Sequence, residues 1–186
     1  MTSIRAFWGI QLPQAANEKL IGFVHSLQTR LADTNIRWSA PENLHITLQF
    51  LKSVGKEDIP FLIEQVTQQV QGLYSFFVQL GHVELFPSPH KPHVISLQVQ
   101  AHDTLTNLAG RVGEGIIRAG YAIERRPYRP HLTLGRLRHK GKVLLPPDLT
   151  GAEPVTIPVR DICLWESKPS RQGSCYTLLH KLAIQN

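Results

Sequence analysis

Cysteine is scarce: two residues in 186, Cys163 and Cys175, too few to build a metal cluster on their own. They read as reduced, partly buried thiols of a cytoplasmic protein. Metal signatures are missing as well, with no HExxH and no Asp/Glu cluster beside His45 or His131, so no metal and no cofactor is expected. No apolar run approaches the length of a membrane span, which sets a transmembrane helix aside. The N-terminus runs straight from Met1-Thr2-Ser3-Ile4-Arg5 into an alternating pattern, so no leader is expected. Low-complexity stretches and flexible linkers are absent too, and residues 1–186 read as one domain made of two intertwined lobes. Acid is in shorter supply than base: 14 Asp+Glu against 20 Lys+Arg, a net charge of +6. That balance favours anionic partners such as nucleic acid or phosphate esters without requiring them.

What is present is a motif that occurs twice. His45-Ile46-Thr47-Leu48 is echoed by His131-Leu132-Thr133-Leu134 about half a chain length later. Side chains alternate across a strand, so each copy offers an imidazole and a hydroxyl to one face and two aliphatics to a core. One site at a pseudo-symmetric junction, with a His-Thr pair from each half, is the simplest use of such a repeat.

Periodicity places the copies in an alternating chain of helices and strands. Ile4, Ala6, Trp8, Ile10 and Leu12 share one face of a half-buried strand. An amphipathic helix follows over 15–31, then a short extended piece over 36–38. The first motif strand runs to about Leu51, with a break at Ser53-Val54-Gly55. Helix 56–71, strands 74–86 and 93–100, and helix 103–119 ending at Gly120 come next. The second motif strand ends near Leu137. Residues 139–154 read as a loop, and two strands, 155–166 and 174–184, close the chain. Interspersed helices and hairpin-like strands predict an α+β fold with largely antiparallel sheets.

Two imidazoles across a cleft make an acid–base couple near neutral pH. Two threonine hydroxyls converging beside them can hold the non-bridging oxygens of a phosphodiester and stabilise charge in a five-coordinate transition state. Strand parity adds candidates. Arg5 and Phe7 share a face able to line the cleft and stack a base. Gln49 continues the His45 face, and Arg129 has the parity of His131 and the reach to touch a phosphate. Arg136 has the opposite parity and is expected to point away. Tyr128 and Arg126 read as loop residues. His90-Lys91-Pro92-His93 reads as a solvated loop, and His82, His102, His139 and His180 stay unassigned.

The paired HxTx motifs resemble the two-histidine phosphoesterase superfamily. Their flanks resemble its RNA 2′,3′-cyclic phosphodiesterases, historically called 2′-5′ RNA ligases. These flanks are Arg5-Ala6-Phe7, Trp38, Pro41-Glu42-Asn43, Glu84-Leu85-Phe86-Pro87-Ser88, Tyr128-Arg129-Pro130, Gly135-Arg136, Glu166-Ser167, Gly173 and Tyr176. The resemblance implies a bilobal fold with pseudo-two-fold symmetry: two antiparallel sheets face a central cleft, and helices lie outside. It implies hydrolysis of 2′,3′-cyclic RNA ends to 2′-phosphomonoesters, with His131 as proton acceptor, His45 as proton donor, and Thr47 and Thr133 on the phosphate. The order of acid and base comes from the resemblance alone. The expected partners are RNA ends or small 2′,3′-cyclic or 2′-5′ nucleotides, handled by a monomer that contacts no membrane. Two alternatives stay open. One is the same chemistry on another substrate, such as a 2′-5′-linked nucleotide in hydrolysis or ligation. The other is a non-catalytic module that binds RNA ends.

Overall fold

The computed structural model describes residues 2–138, 143–149, 151–170 and 173–185. His139 and Arg171-Gln172, which fall between the last two expected strands, lie outside them. In chain order the elements are β1 (Ser3–Gln11), α1 (Gln14–Arg30), β2 (Ile36–Trp38), β3 (His45–Gly55), α2 (Ile59–Val70), β4 (Phe76–Phe86), β5 (Val94–Val99), α3 (His102–Arg118), β6 (His131–Leu137), β7 (Gly151–Val159), β8 (Asp161–Ser170) and β9 (Gly173–Ala183). The fold is α+β, as the interspersed periodicities predict. Pro13 precedes the first turn of α1, where its fixed φ suits a helix start, and Gly120 ends α3's segment at φ +86°, a left-handed position that glycine takes without strain.

The strands form one curled antiparallel sheet in the order β7-β4-β5-β6-β3-β1-β8-β9, with β2 beside β6. Two four-stranded halves, β6-β5-β4-β7 and β3-β1-β8-β9, mirror each other about the line between β3 and β6. The two expected sheets are thus halves of a continuous one. They meet at the pair Ile46↔Leu132, and both side chains are fully buried. Burying an aliphatic of this size is worth about 1.5–3 kcal/mol, so the joint is held by core packing. Ile46 and Leu132 are the second residues of the two motifs. The residues that flank them therefore turn to the opposite, open face, and an antiparallel register sets His45 across from Thr133 and Thr47 across from His131.

Helices cover the other face. Leu20, Val24 and Leu27 of α1, Leu62 and Val66 of α2, and Leu105, Leu108, Val112 and Ile116 of α3 join the strand aliphatics in one core. Three expectations are corrected. The break at 53–55 is strand, because Val54 pairs with Ile4 and Gly55 with Ser3. The last stretch holds three strands, since the chain crosses at Arg160 from β7 in one half of the sheet to β8 in the other, and β7 starts at Gly151 inside the expected loop. The alternating pattern carries through that crossing without a turn signal. Finally, β1 is buried on both faces from Ala6 to Ile10, because Trp165 and Tyr176 pack over Phe7.

Candidate active site

Both motif histidines are held the same way. His45 Nδ1 lies 2.6 Å from the carbonyl oxygen of Asn43, and His131 Nδ1 lies 2.9 Å from that of Arg129. Each partner sits two residues earlier in the chain. A carbonyl can only accept, so each Nδ1 carries the proton and each Nε2 is left free as base when neutral or donor when charged. The two rings also stand on aromatic floors. His45 meets Phe7 at 4.6 Å between centroids and Tyr176 at 5.2 Å, and His131 stacks on Phe86 at 4.6 Å with 17° between planes.

His45, Thr47, His131 and Thr133 line one cavity of about 630 Å³, together with Arg37, Trp38, Asn43, Arg136, Ser174 and Tyr176. In a regular ladder, diagonal positions such as 45 and 131 are about 7–8 Å apart, a gap suited to one tetrahedral phosphate. A smaller cavity, about 240 Å³, opens on the Thr47 and His131 side.

Each motif ends in a β-bulge at the same place. On β3, Thr47 pairs with Gly9 and Gln49 with Trp8, so Leu48 is the extra residue; on β6, Thr133 pairs with Ser96 and Gly135 with Ile95, so Leu134 is extra. A bulge reverses the parity of everything beyond it. Arg136 is therefore carried into the cavity, contrary to the simple alternation. Gln49 is carried out of that cavity and lines only the smaller one: its carboxamide donates to the Ala109 carbonyl of α3 at 3.0 Å, and Phe50 takes the open face instead. Glycine at position 9 keeps the first bulge closed, since a Cβ there would sit 2.7 Å from the Ile46 carbonyl oxygen and 3.3 Å from the Trp165 ring.

The sequence profile of a family described as LigT like phosphoesterase matches residues 10–96 and 95–176, stretches that each contain one HxTx motif. The chain belongs to the LigT-like phosphoesterase family. Among its relatives is the RNA 2′,3′-cyclic phosphodiesterase of Methanothermobacter thermautotrophicus, 28% identical over 94% of this chain and 95% of that one. That of Thermotoga maritima is 24% identical over 98% and 96%. Among solved structures, E. coli LigT complexed with 3′-AMP superposes with a TM-score of 0.82 at 26% identity, covering both chains fully. TT0787 of Thermus thermophilus superposes at 0.80 with 23% identity over 98% of each.

The remaining candidates of this LigT-like chain separate cleanly. Phe7 is 3% exposed and serves as the floor beneath His45 rather than as an open stacking platform. Arg5 stands 5.3 Å above the Phe50 ring and lines neither cavity. Arg129 is bound to Glu84 at 2.5 Å and lies over Phe86, and it lines the smaller cavity beside Thr47 and His131. Tyr128, read as a plain loop residue, donates its hydroxyl to the Thr47 carbonyl at 3.0 Å and ties the two motifs together. Burial pushes its phenol pKa up. The missed lining residues are Arg37, which precedes the first motif on β2, and Ser174 and Tyr176, which come from β9, far from either motif in sequence. The two thiols are unpaired; Cys163 is buried, but Cys175 is exposed at the cavity rim. Among the described residues no group of three His, Cys, Asp or Glu side chains is gathered to hold a metal, and no helix is long and apolar enough to cross a membrane.

Burial drives His45 from 6.5 down to about 4, the Asn43 carbonyl opposes this, and the charges of Arg136 and His131 add to the lowering. A histidine depressed on folding favours the native state above its unfolded pKa and loses that contribution as pH falls from 6.5 toward 4. Urea-unfolding free energies are expected to drop over that window in the wild type and to drop less in His45→Phe. Equal pH slopes for the two proteins would rule the burial effect out.

Proposed function

We propose that this protein hydrolyses 2′,3′-cyclic phosphodiester ends of RNA to 2′-phosphomonoesters without a metal. The observation that carries the proposal is the pair of motif imidazoles, each fixed through Nδ1 to a backbone carbonyl, lining one cavity with both threonines and Arg136. The names of the relatives support the substrate class.

Water attacks phosphorus from the His131 side and gives its proton to His131 Nε2. The P–O3′ bond breaks, and O3′ takes the proton from His45 Nε2. Thr47, Thr133 and Arg136 bind the non-bridging oxygens, where negative charge grows. Solvent exchange returns the proton from His131 to His45. With His45 lowered to about 4 in the free protein, the bound phosphate anion supplies the charge that favours its protonated, donating form. Acid and base are assigned on the family resemblance.

The decisive experiment offers the protein an RNA ending in a 2′,3′-cyclic phosphate in excess EDTA and identifies the product. Accumulation of a 2′-phosphate is expected. A 3′-phosphate product, or dependence on added metal, would overturn the proposal. A non-catalytic RNA-binding module is disfavoured because phosphate capture alone would be better served by arginine or lysine than by two imidazoles.

Arg136→Gln removes one charged contact to the phosphate, so kcat/KM is expected to fall about tenfold. The same change removes a cation that lowers His45, so the His45 titration followed by NMR should move up. A lost rate with an unmoved titration would separate Arg136 from His45.

A further inference from the structure

Glu84 is the least expected charge near the site. Its side chain is 12% exposed, and Oε1 is buried with no hydrogen-bond partner among the described residues. Burying a carboxylate is costly unless it is paired, and the usual rationale of a stronger fold is weak for such pairs. What Oε2 touches gives a different rationale. It accepts from Arg129 at 2.5 Å and from Gln98 at 3.2 Å.

Both side chains that bond Glu84 lead to His131. Arg129 meets the histidine twice: its carbonyl accepts from Nδ1 at 2.9 Å, and its guanidinium lies 4.9 Å from the centroid of Phe86, the ring stacked on His131. Gln98 is the residue paired directly with His131 across the β5–β6 ladder. Phe86 lies two residues beyond Glu84 on β4. One carboxylate thus organises the side-chain floor of the imidazole, the residue that bonds its Nδ1 and its cross-strand partner. The corresponding surroundings of His45 are aromatic: its floor is Phe7 and Tyr176, with Trp165 behind.

We propose that Glu84 is a positioning residue for His131, acting through the Arg129–Phe86 clamp to hold the Nδ1–H tautomer and aim Nε2 into the cavity. The proposal rests on the catalytic reading of His131 given above. A charge-assisted pair fixes Arg129 more firmly than a neutral hydrogen bond would. A base misplaced by a fraction of an ångström loses rate while substrate binding is kept.

Three variants test this: Glu84→Gln, Phe86→Leu, and the double variant Glu84→Gln/Arg129→Met, which leaves no unpaired guanidinium. For Glu84→Gln, kcat on cyclic-phosphate RNA is expected to fall about tenfold with KM unchanged. The double variant should be no more active than Glu84→Gln. Long-range ¹H–¹⁵N spectra of the unliganded proteins should show His131 as the Nδ1–H tautomer in the wild type and as a mixture in Glu84→Gln and Phe86→Leu. Wild-type kcat and tautomer in folded Glu84→Gln would overturn the proposal. So would a loss confined to KM, which would make Arg129 a substrate ligand, or recovery of kcat in the double variant, which would trace the defect to an orphaned cation. If the wild type shows no turnover, the hydrolytic reading fails, and the tautomer measurement alone then decides the role of Glu84.

Discussion

His131→Ala and His45→Ala are each expected to lower kcat on a cyclic-phosphate RNA by about 10²–10⁴-fold, the span of a single general acid or base. The two losses should not multiply. Proton removal from water and proton delivery to O3′ occur around one phosphorus, and groups acting as a unit give grossly non-additive effects. The double variant is therefore expected close to the worse single one. Thr47→Ala and Thr133→Ala should cost less, because each threonine contributes one hydrogen bond to an anion, about 1.5–3 kcal/mol. The histidine substitutions differ in a second respect. His45 fills a space bounded by Phe7, Trp165 and Tyr176, so alanine there opens a cavity and costs stability along with rate. His45→Phe keeps an aromatic in that space while removing the proton-transferring Nε2 and the Nδ1–H bond to the Asn43 carbonyl; it should melt closer to the wild type than His45→Ala and still be inactive. Single-turnover assays with thermal melts check each protein. His131→Ala working within about threefold of the wild-type rate would sink the acid–base mechanism.

The centre of this site is legible because it depends on spacing alone. His-x-Thr on a strand puts both polar groups on one face whatever the tertiary structure, and the aliphatic between them, Ile46 or Leu132, is the residue that joins the two halves of the sheet. Simple alternation fails just beyond each threonine, where parity is extended past Leu48 and Leu134. Both bulges lie between strands remote in sequence, and nothing local to Leu48-Gln49 or Leu134-Gly135 announces which residue will be left unpaired. The rule that succeeds at 45–47 and 131–133 therefore assigns Gln49 and Arg136 to the wrong faces. Arg129 has a partner that its sequence position does not announce. Its parity is right, but a carboxylate on β4 reaches it first, and pairing across a sheet is not written in either segment alone.

Two glycines of α3 should respond in opposite directions to added side-chain bulk, and the difference tests how tightly α3 packs against α2. Helix propensity favours any replacement of a mid-helix glycine by alanine, by about 0.8–1.0 kcal/mol. At Gly110 nothing lies within 4 Å of a built Cβ, so that gain should appear almost undiminished as added stability. At Gly115 a Cβ would sit 2.6 Å from Val66 Cα and 2.8 Å from its backbone nitrogen. Those atoms belong to the main chain of α2, so no rotamer change relieves the clash and the helices must separate. Overpacking of this kind costs about 1–3 kcal/mol and sometimes more, and a branched side chain moves it to the upper end. Gly115→Val is therefore expected to lose roughly 3 kcal/mol or more. Separating α3 from α2 also disturbs the Ala109 carbonyl that anchors Gln49, the residue just past the first bulge. Residual folded protein should accordingly lose activity as well. Urea unfolding of both variants beside the wild type decides the matter: a Gly115→Val protein as stable as its parent would mean that α2 and α3 are not in close contact at Val66.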